Sequence, residues 1–360
     1  MLTPTISYEH DAVGNRTKKI STTGGVSTTT NYTYNDGNEL ISVNGQAYSY
    51  DANGNLTNNG NKTYIYDLDN RLKEVKDSQG QTIASFTYDH EGKRNSMTTN
   101  SGTTHFHYNG DKVVYETDSN NTIVAEYTYD PEGNPATMTR GGVTYYYHIN
   151  GHGDVVTLTD ASGNVVAEYD YDAYGNIISQ SGTMASVNPY RYAGYRYDEV
   201  TGLYYLMARY YDAEVGRFIS RDPFHGIETD PSSLNQYNYC GSNPVMYTDP
   251  TGHLRNGWWN SVKWVGRIID AAIVVFTAGK SIYGKKAAQA FLKKNKNKVV
   301  HAIRGKLLAL HPSITKVAVG AAISAAFTLA GETPGSLVAK GLDYIDHWWG
   351  KTRKNGYVFG

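Results

Sequence analysis

The sequence predicts a mainly β protein in three parts: an antiparallel repeat sheet over 1–189, a connecting segment over 190–253 and a small all-α domain over 254–360. Three observations predict this division. Residues 118–136 and 160–178 repeat each other at an offset of 42. The repeated segments alternate β-branched or aromatic residues with polar ones, which is typical of strands. After the DPTGH sequence at 249–253, the composition changes from Tyr, Gly, Asn and Thr to Ala, Leu, Val and Lys.

Each repeat combines a strand signal with a turn signal. NTIVAEYTY at 121–129 and NVVAEYDY at 164–171 predict strands, and the DPEGN and DAYGN sequences that follow them supply Asp, Gly and Asn for tight reversals. A third long copy has Tyr88 at 41 residues before Tyr129. A single repeat cannot bury its own face, so we expect the sheet to stack or curl.

The charge is divided unevenly along the chain. Residues 254–360 hold 17 Lys and Arg against 4 Asp and Glu, which leaves 16 basic and 30 acidic residues in 1–253. Such asymmetry predicts a basic module that meets an anionic partner, nucleic acid or membrane. Cys240 is the single cysteine, which excludes an intramolecular disulfide. The opening residues lack the regions of a signal peptide, so we expect a cytosolic product or the C-terminal piece of a longer exported protein.

The Y-D-x-x-G-N units resemble the YD repeats of the Rhs/YD-repeat family. YYYHINGHGDVVTLTDASGNVVAEYDYDAYGN at 145–176 is similar to that family's most regular repeat, and YRYAGYRYDEVTGLYYLMARYYDAEVGRFISRDP at 190–223 resembles its core-associated segment. DPTGH resembles the Gram-positive, wall-associated branch. The resemblance implies a β ribbon that spirals into a shell around a variable C-terminal toxin. A generic β-solenoid binding module is the alternative fold interpretation.

The resemblance also implies a function in interbacterial competition. The chain is then a polymorphic toxin, secreted or at the cell surface, whose basic C-terminal effector acts on membrane or nucleic acid. Its expected partners are a cognate immunity protein, the target-cell membrane or nucleic acid, and the remainder of a longer Rhs shell. No cofactor and no metal are expected. The alternative is a non-toxic cell-surface protein that binds carbohydrate or acts as an adhesin.

The same resemblance implies that paired aspartates at the end of the core-associated segment form an aspartyl-protease-like site, which frees the toxin. Such a site needs two carboxylates that share a proton, so that one is ionised while the other is protonated. The first aspartate is Asp222, and the second is Asp249 or Asp230. Arg221 is a candidate to hold one carboxylate ionised. The scissile bond is expected between His253 and Leu254.

This chain departs from the cleavage motif in two places. The first motif is DPFHG, and the second ends in His253 where the cleaving members carry Leu. Asp-Pro pairs are also common turn formers, because Pro fixes φ and Asp caps the turn. Self-cleavage and a simple turn both remain open from the sequence.

Helical periodicity in the tail predicts four or five helices, over 258–280, 284–294, 298–310, 313–330 and 335–349. Basic residues beside the apolar face of the third helix are candidates to contact nucleic acid or an anionic membrane: Lys298, His301, Arg304 and Lys306. A solvated positive face on a packed helix explains them equally well.

Two further interpretations of the tail stay open. The apolar runs 268–278 and 317–330 are shorter than the ~18 residues of a bilayer span, so they are either buried helices or a hairpin that inserts after release. His347 is a candidate acid/base of a metal-independent RNase, with Lys351 and Arg353 on the phosphate. A surface cap at the chain end is the alternative role for these residues.

Overall fold

The computed structural model describes residues 4–223 and 231–253, which belong to one compact unit, Met1–His253. Antiparallel strands in three sheets make up these residues, and the described ranges contain no α-helix. The predicted mainly β repeat architecture is therefore confirmed. The predicted all-α domain, residues 254–360, lies outside the described residues.

The first sheet has five strands in sequence order. They are β1 (Thr5–His10), β2 (Arg16–Thr23), β3 (Val26–Tyr34), β4 (Leu40–Val43) and β5 (Gln46–Ala47).

The second sheet has fourteen strands, again each paired with its neighbour in the chain. They are β6 (Ser49–Tyr50), β7 (Leu56–Asn58), β8 (Thr63–Tyr66), β9 (Leu72–Lys76), β10 (Thr82–Tyr88), β11 (Arg94–Thr99), β12 (Gly102–Asn109), β13 (Lys112–Thr117), β14 (Ile123–Tyr129), β15 (Pro135–Arg140), β16 (Val143–Ile149), β17 (Val155–Thr159), β18 (Val165–Tyr171) and β19 (Ile177–Ser181).

The third sheet belongs to the core-associated segment. Its strands are β20 (Arg196–Asp198), β21 (Leu203–Leu206), β22 (Arg209–Asp212) and β23 (Arg217–Phe218). Short 3₁₀ turns occur at Tyr192–Gly194, Pro231–Leu234 and Cys240–Ser242.

The aspartate of each repeat builds the turn that follows its strand. Asp51 Oδ1 accepts hydrogen bonds from the backbone N–H groups of Asn53 and Asn55, both at 2.9 Å. Gly54 adopts a φ of 82°, which glycine reaches without steric cost. The same pair of Asp-to-backbone hydrogen bonds recurs in other repeats, at Asp11, Asp67, Asp77, Asp89, Asp118, Asp160 and Asp172.

In three repeats, the tyrosine before that aspartate bonds its strand to the strand with which it is paired: Tyr88, Tyr129 and Tyr171. Each of these tyrosines lies at a β-bulge, where the strand register shifts. The phenol of Tyr129 donates to the carbonyl of Val113, 16 residues earlier, at 2.6 Å. Tyr88 and Tyr171 make the equivalent bond across the same separation, at 2.6 and 2.8 Å. In these three repeats the paired strands are therefore joined by a side-chain hydrogen bond as well as by their backbones.

Buried arginines join the core-associated segment to the repeat sheet. Arg94 in β11 forms a buried ion pair with Asp198 in β20, and Arg196 in β20 forms one with Glu116 in β13. The guanidinium of Arg94 also lies 4.5 Å from the ring centroid of Tyr205. Removing one partner from such a pair leaves an uncompensated buried charge, so these contacts fix where the third sheet sits.

Candidate functional site

Asp222 and Asp249 come together near the end of the described chain. Both carboxylates face the same guanidinium nitrogen of Arg209: Asp222 Oδ2 lies 2.8 Å from Nη2, and Asp249 Oδ2 lies 3.9 Å from that atom. All three residues are buried. Of the two candidates for the second aspartate, the structure thus places Asp249 beside Asp222. Asp230 lies outside the described residues.

Arg209 is held by contacts on every side of its guanidinium. It begins β22, just after a turn in which Met207 adopts a φ of 59°. Its Nη1 donates to the carbonyl of Gln236 at 2.9 Å, and its Nε donates to the carbonyl of Gly252. The guanidinium carbon lies 3.7 Å from the ring centroid of Phe218. Burial lowers the pKa of Arg209, and the nearby carboxylates of Asp222 and Asp249 oppose this decrease. An arginine nevertheless remains charged at physiological pH.

The side chain of Asp249 organises the DPTGH turn. Its Oδ1 accepts from the backbone N–H groups of Gly252, at 2.9 Å, and His253, at 3.2 Å. Burial raises the pKa of the Asp249 carboxyl to about 6; the cations Arg209 and His253 oppose this rise and the Asp222 carboxylate adds to it. Asp249 therefore exchanges its proton in the range where a general acid is useful.

Gly252 permits the close approach of this turn to the β21–β22 connection. Its φ is 76°, and a Cβ at this position would lie 2.4 Å from the carbonyl oxygen of Leu206 and 3.0 Å from the backbone nitrogen of Arg209. The neighbouring Thr251 carbonyl accepts from the backbone N–H of Ala208 at 3.2 Å. The glycine of DPTGH is thus required by the contact that brings Asp249 to Arg209.

His253 contacts both aspartates. Its Nδ1 lies 3.3 Å from Asp222 Oδ1, while its backbone N–H donates to Asp249. The backbone of Asp222 is itself fixed by Gln236, whose carbonyl accepts from the Asp222 N–H at 3.0 Å. The residue that precedes the predicted scissile bond therefore lies within the cluster of two aspartates and an arginine.

Arg221 has a different position from the one its sequence neighbourhood suggests. It is exposed, and its guanidinium lies near Gly37 and Gly54. Arg209, which is 13 positions before Asp222 and begins β22, is the cation that faces both aspartates. Sequence reasoning missed Arg209, because only the hairpin of the third sheet reveals its proximity.

The remaining predicted site residues lie outside the described residues. They are His347, Lys298, His301, Arg304, Lys306, Lys351 and Arg353, together with Leu254 of the expected scissile bond. Within 4–223 and 231–253, no helix has the length and hydropathy of a bilayer span. Those same ranges contain no cluster of three or more His, Cys, Asp and Glu side chains suited to a metal ion.

Comparison with known proteins places the chain in a family. The family model described as Teneurin YD-shell matches residues 3–245. The chain is 40% identical over 275 residues to the tRNA nuclease WapA of Bacillus subtilis (strain 168), which is 75% of this chain and 11% of that protein. It is 45% identical over 64 residues to the double-stranded DNA deaminase toxin A of Burkholderia cenocepacia (strain H111), which is 18% of this chain and 4% of that protein.

Solved structures share the fold. A Photorhabdus luminescens Tc holotoxin pore matches with a TM-score of 0.60 at 22% identity, over 71% of this chain and 13% of that one. A TcdB2–TccC3 structure matches with a TM-score of 0.57 at 23% identity, over 70% of this chain and 14% of that one. The family model and the Bacillus relative confirm the expected family. The chain belongs to the teneurin YD-shell family of Rhs-type YD-repeat proteins.

Proposed function

We propose that the chain is the shell end of an Rhs-type interbacterial toxin, which cuts itself between His253 and Leu254 to free a basic effector. The observation that carries this proposal is the convergence of Asp222 and Asp249 on Arg209, with His253 against both carboxylates. The position of the cut coincides with the change from an acidic to a basic composition. The chain spans only 11% of the length of the Bacillus relatives, so the rest of a shell is expected from a longer protein.

The two aspartates supply the two halves of acid–base hydrolysis. Asp222, whose carboxylate is paired with Arg209, takes a proton from water, and the water oxygen bonds to the carbonyl carbon of His253. Asp249 gives its proton to the carbonyl oxygen. The carbon–nitrogen bond to Leu254 then breaks as Asp222 gives the proton it took from water to the Leu254 nitrogen. Asp249 recovers its proton from the hydroxyl group formed on the former carbonyl oxygen, and His253 is left with a carboxyl group. Sharing one proton between two carboxylates is how such pairs divide these roles.

The basic tail is the proposed effector. Its 17 Lys and Arg against 4 Asp and Glu favour an anionic target, either nucleic acid or membrane. The names of two relatives, a tRNA nuclease and a DNA deaminase toxin, support nucleic acid. Secretion, delivery into a target cell and a cognate immunity protein belong to the same proposal. Within it, Lys298, His301, Arg304 and Lys306 contact the target, and His347, with Lys351 and Arg353, acts on a phosphate.

Expression of residues 254–360 in a bacterium from a tightly controlled promoter tests the effector. Growth arrest with loss of RNA is expected, and His347→Ala is expected to relieve it. Arrest with loss of membrane potential and intact RNA would support a membrane effector instead. Normal growth at full expression would contradict the toxin and favour the alternative of a non-toxic surface protein that binds carbohydrate or acts as an adhesin.

A further inference from the structure

A buried tyrosine phenol holds the backbone nitrogen of Asp249. The phenol oxygen of Tyr195 accepts a hydrogen bond from the Asp249 N–H at 2.6 Å, and both residues are buried. The carboxylate of Asp249 accepts from the backbone N–H groups of Gly252 and His253 in its own turn. Asp249 is therefore fixed at its backbone by Tyr195 and at its side chain by the DPTGH turn.

Tyr195 is itself supported by a second buried phenol. The hydroxyl oxygens of Tyr195 and Tyr239 are 3.0 Å apart, so one hydroxyl donates to the other. Burial raises the pKa of both phenols well above the usual value, so both keep the hydrogen that this bond needs. The ring of Tyr239 packs against Phe218, with 6.0 Å between the centroids, and Phe218 is the ring that contacts the guanidinium of Arg209. The aromatic residues that support Asp249 are thus continuous with those that support Arg209.

The backbone before Tyr195 is connected to the repeat sheet. Asp154, in the turn between β16 and β17, accepts at Oδ1 from the backbone N–H of Ala193 at 2.8 Å. The Tyr195 N–H donates to the carbonyl of Tyr192 at 2.9 Å, which closes the 3₁₀ turn that contains Ala193. A series of contacts therefore leads from the repeat sheet through Tyr195 to the backbone of Asp249.

We infer that Tyr195 is a positioning residue for the proposed self-cleavage, because its phenol fixes where Asp249 lies relative to Arg209 and Asp222. This inference rests on the proposed function and adds to it a residue that acts through Asp249 rather than on the peptide bond. Asp249 Oδ2 lies 3.9 Å from the Arg209 nitrogen that Asp222 approaches to 2.8 Å, so a small movement of the Asp249 backbone changes this geometry. Without the phenol, the buried Asp249 N–H also loses its acceptor, which favours movement of the turn toward water.

Tyr195→Phe removes the hydroxyl group and keeps the ring, so it tests the hydrogen bond separately from the packing. Tyr169→Phe is the matched control, because this buried phenol also bonds to a backbone group, the carbonyl of Ala185 at 2.7 Å, but in the repeat sheet. Tyr239→Phe keeps the bond from Tyr195 to Asp249 and removes its support. Cleavage of the full chain is followed by intact mass between pH 4.5 and 8.5, and the free energy of unfolding of each variant is measured beside it.

Tyr195→Phe is expected to be cut about tenfold more slowly than Tyr169→Phe, in line with the sensitivity of positioned groups to small displacements. Its pH profile is also expected to change. Burial raises the pKa of Asp249 to about 6, so a carboxyl that gains water releases its proton at lower pH. The upper pH limit of cleavage is therefore expected to fall in Tyr195→Phe, to fall less in Tyr239→Phe and to stay at the wild-type value in Tyr169→Phe.

An upper pH limit in Tyr195→Phe equal to that of Tyr169→Phe would overturn the inference and leave self-cleavage standing, because a loss of stability alone slows cleavage without moving this limit. An uncut wild type at every pH would overturn both. Should Tyr195→Phe fail to fold, Tyr239→Phe decides in its place: slower cleavage with a lower pH limit supports the inference, and wild-type behaviour overturns it.

Discussion

Arg209 and Asp222 form a buried ion pair, with 2.8 Å between Nη2 and Oδ2, in which the same nitrogen also faces Asp249. The guanidinium of Arg209 thus attracts both buried carboxylates, which would otherwise repel each other. The guanidinium also donates to the backbone carbonyls of Gln236 and Gly252, so it connects the third sheet to the chain at both of these residues. The position of the proposed cleavage site therefore depends on this one side chain.

Arg209→Met is expected to destabilise the protein by about 3–5 kcal/mol, because it removes the buried cation that both carboxylates face. Arg209→Lys keeps the charge and loses part of the hydrogen bonding, so a smaller loss is expected. Chemical unfolding monitored by tyrosine circular dichroism measures both. Exposed Arg221→Met is the matched control, expected within about 0.5 kcal/mol of wild type. A loss below 1 kcal/mol for Arg209→Met would contradict the role given to this ion pair.

Gly252→Ala is expected to move the DPTGH turn away from Leu206, since the new Cβ would lie 2.4 Å from a backbone oxygen. Cleavage is expected to slow at least about tenfold, in line with the sensitivity of positioned groups to small displacements. Gly163→Ala is the control, because Gly163 has a similar φ of 82° but nothing within 4 Å of an added Cβ. Equal cleavage rates in the two variants would show that the close approach has no part in the reaction.

Tyr129→Phe is expected to cost about 1–3 kcal/mol, because the buried Val113 carbonyl loses its phenol donor. Tyr129 also shares a hydrogen bond of 2.8 Å with Tyr190 of the core-associated segment. Tyr146→Phe, which changes a partly exposed tyrosine of β16, is expected to change the free energy of unfolding by less than about 0.5 kcal/mol. If the two variants unfold alike, the repeated tyrosine bond does not stabilise the sheet.

The buried carboxyl group of Asp212 is expected to make the free energy of unfolding depend on pH, independently of cleavage. Burial raises the pKa of its carboxyl to about 6 from an ordinary value of 3.8, and the neighbouring Glu214 adds to the rise. Because the folded pKa lies above the unfolded one, the stabilising protonated form is present below pH 4 and is lost as pH rises to 6. An asparagine at this position does not titrate. The free energy of unfolding of Asp212→Asn minus that of the wild type is therefore expected to be larger at pH 7 than at pH 4, by up to about 3 kcal/mol. An equal difference at both pH values would contradict this.

The repeats can be predicted from the sequence, but only part of the site can. Alternation around Tyr129 and the Asp and Gly of the turns predict strands and reversals, because both are local effects of side chains on their own backbone. The pairing of Asp222 with Asp249 was reached by resemblance, with Asp230 as an equal candidate. Arg209 was missed because its role arises from the hairpin of the third sheet, and a contact made by tertiary folding leaves no local pattern.

Intact mass of the full chain at pH 5.5, with Asp222→Asn and Asp249→Asn compared with the wild type, tests the central claim most directly. The wild type is expected to yield a fragment that begins at Leu254, and each variant is expected to be cut at least about 100-fold more slowly, since each removes one acid–base partner. Arg221→Met, which changes an exposed residue next to Asp222 in the chain, is expected to be cut at the wild-type rate. An uncut wild type, or a fragment that forms equally fast in both aspartate variants, would contradict the account.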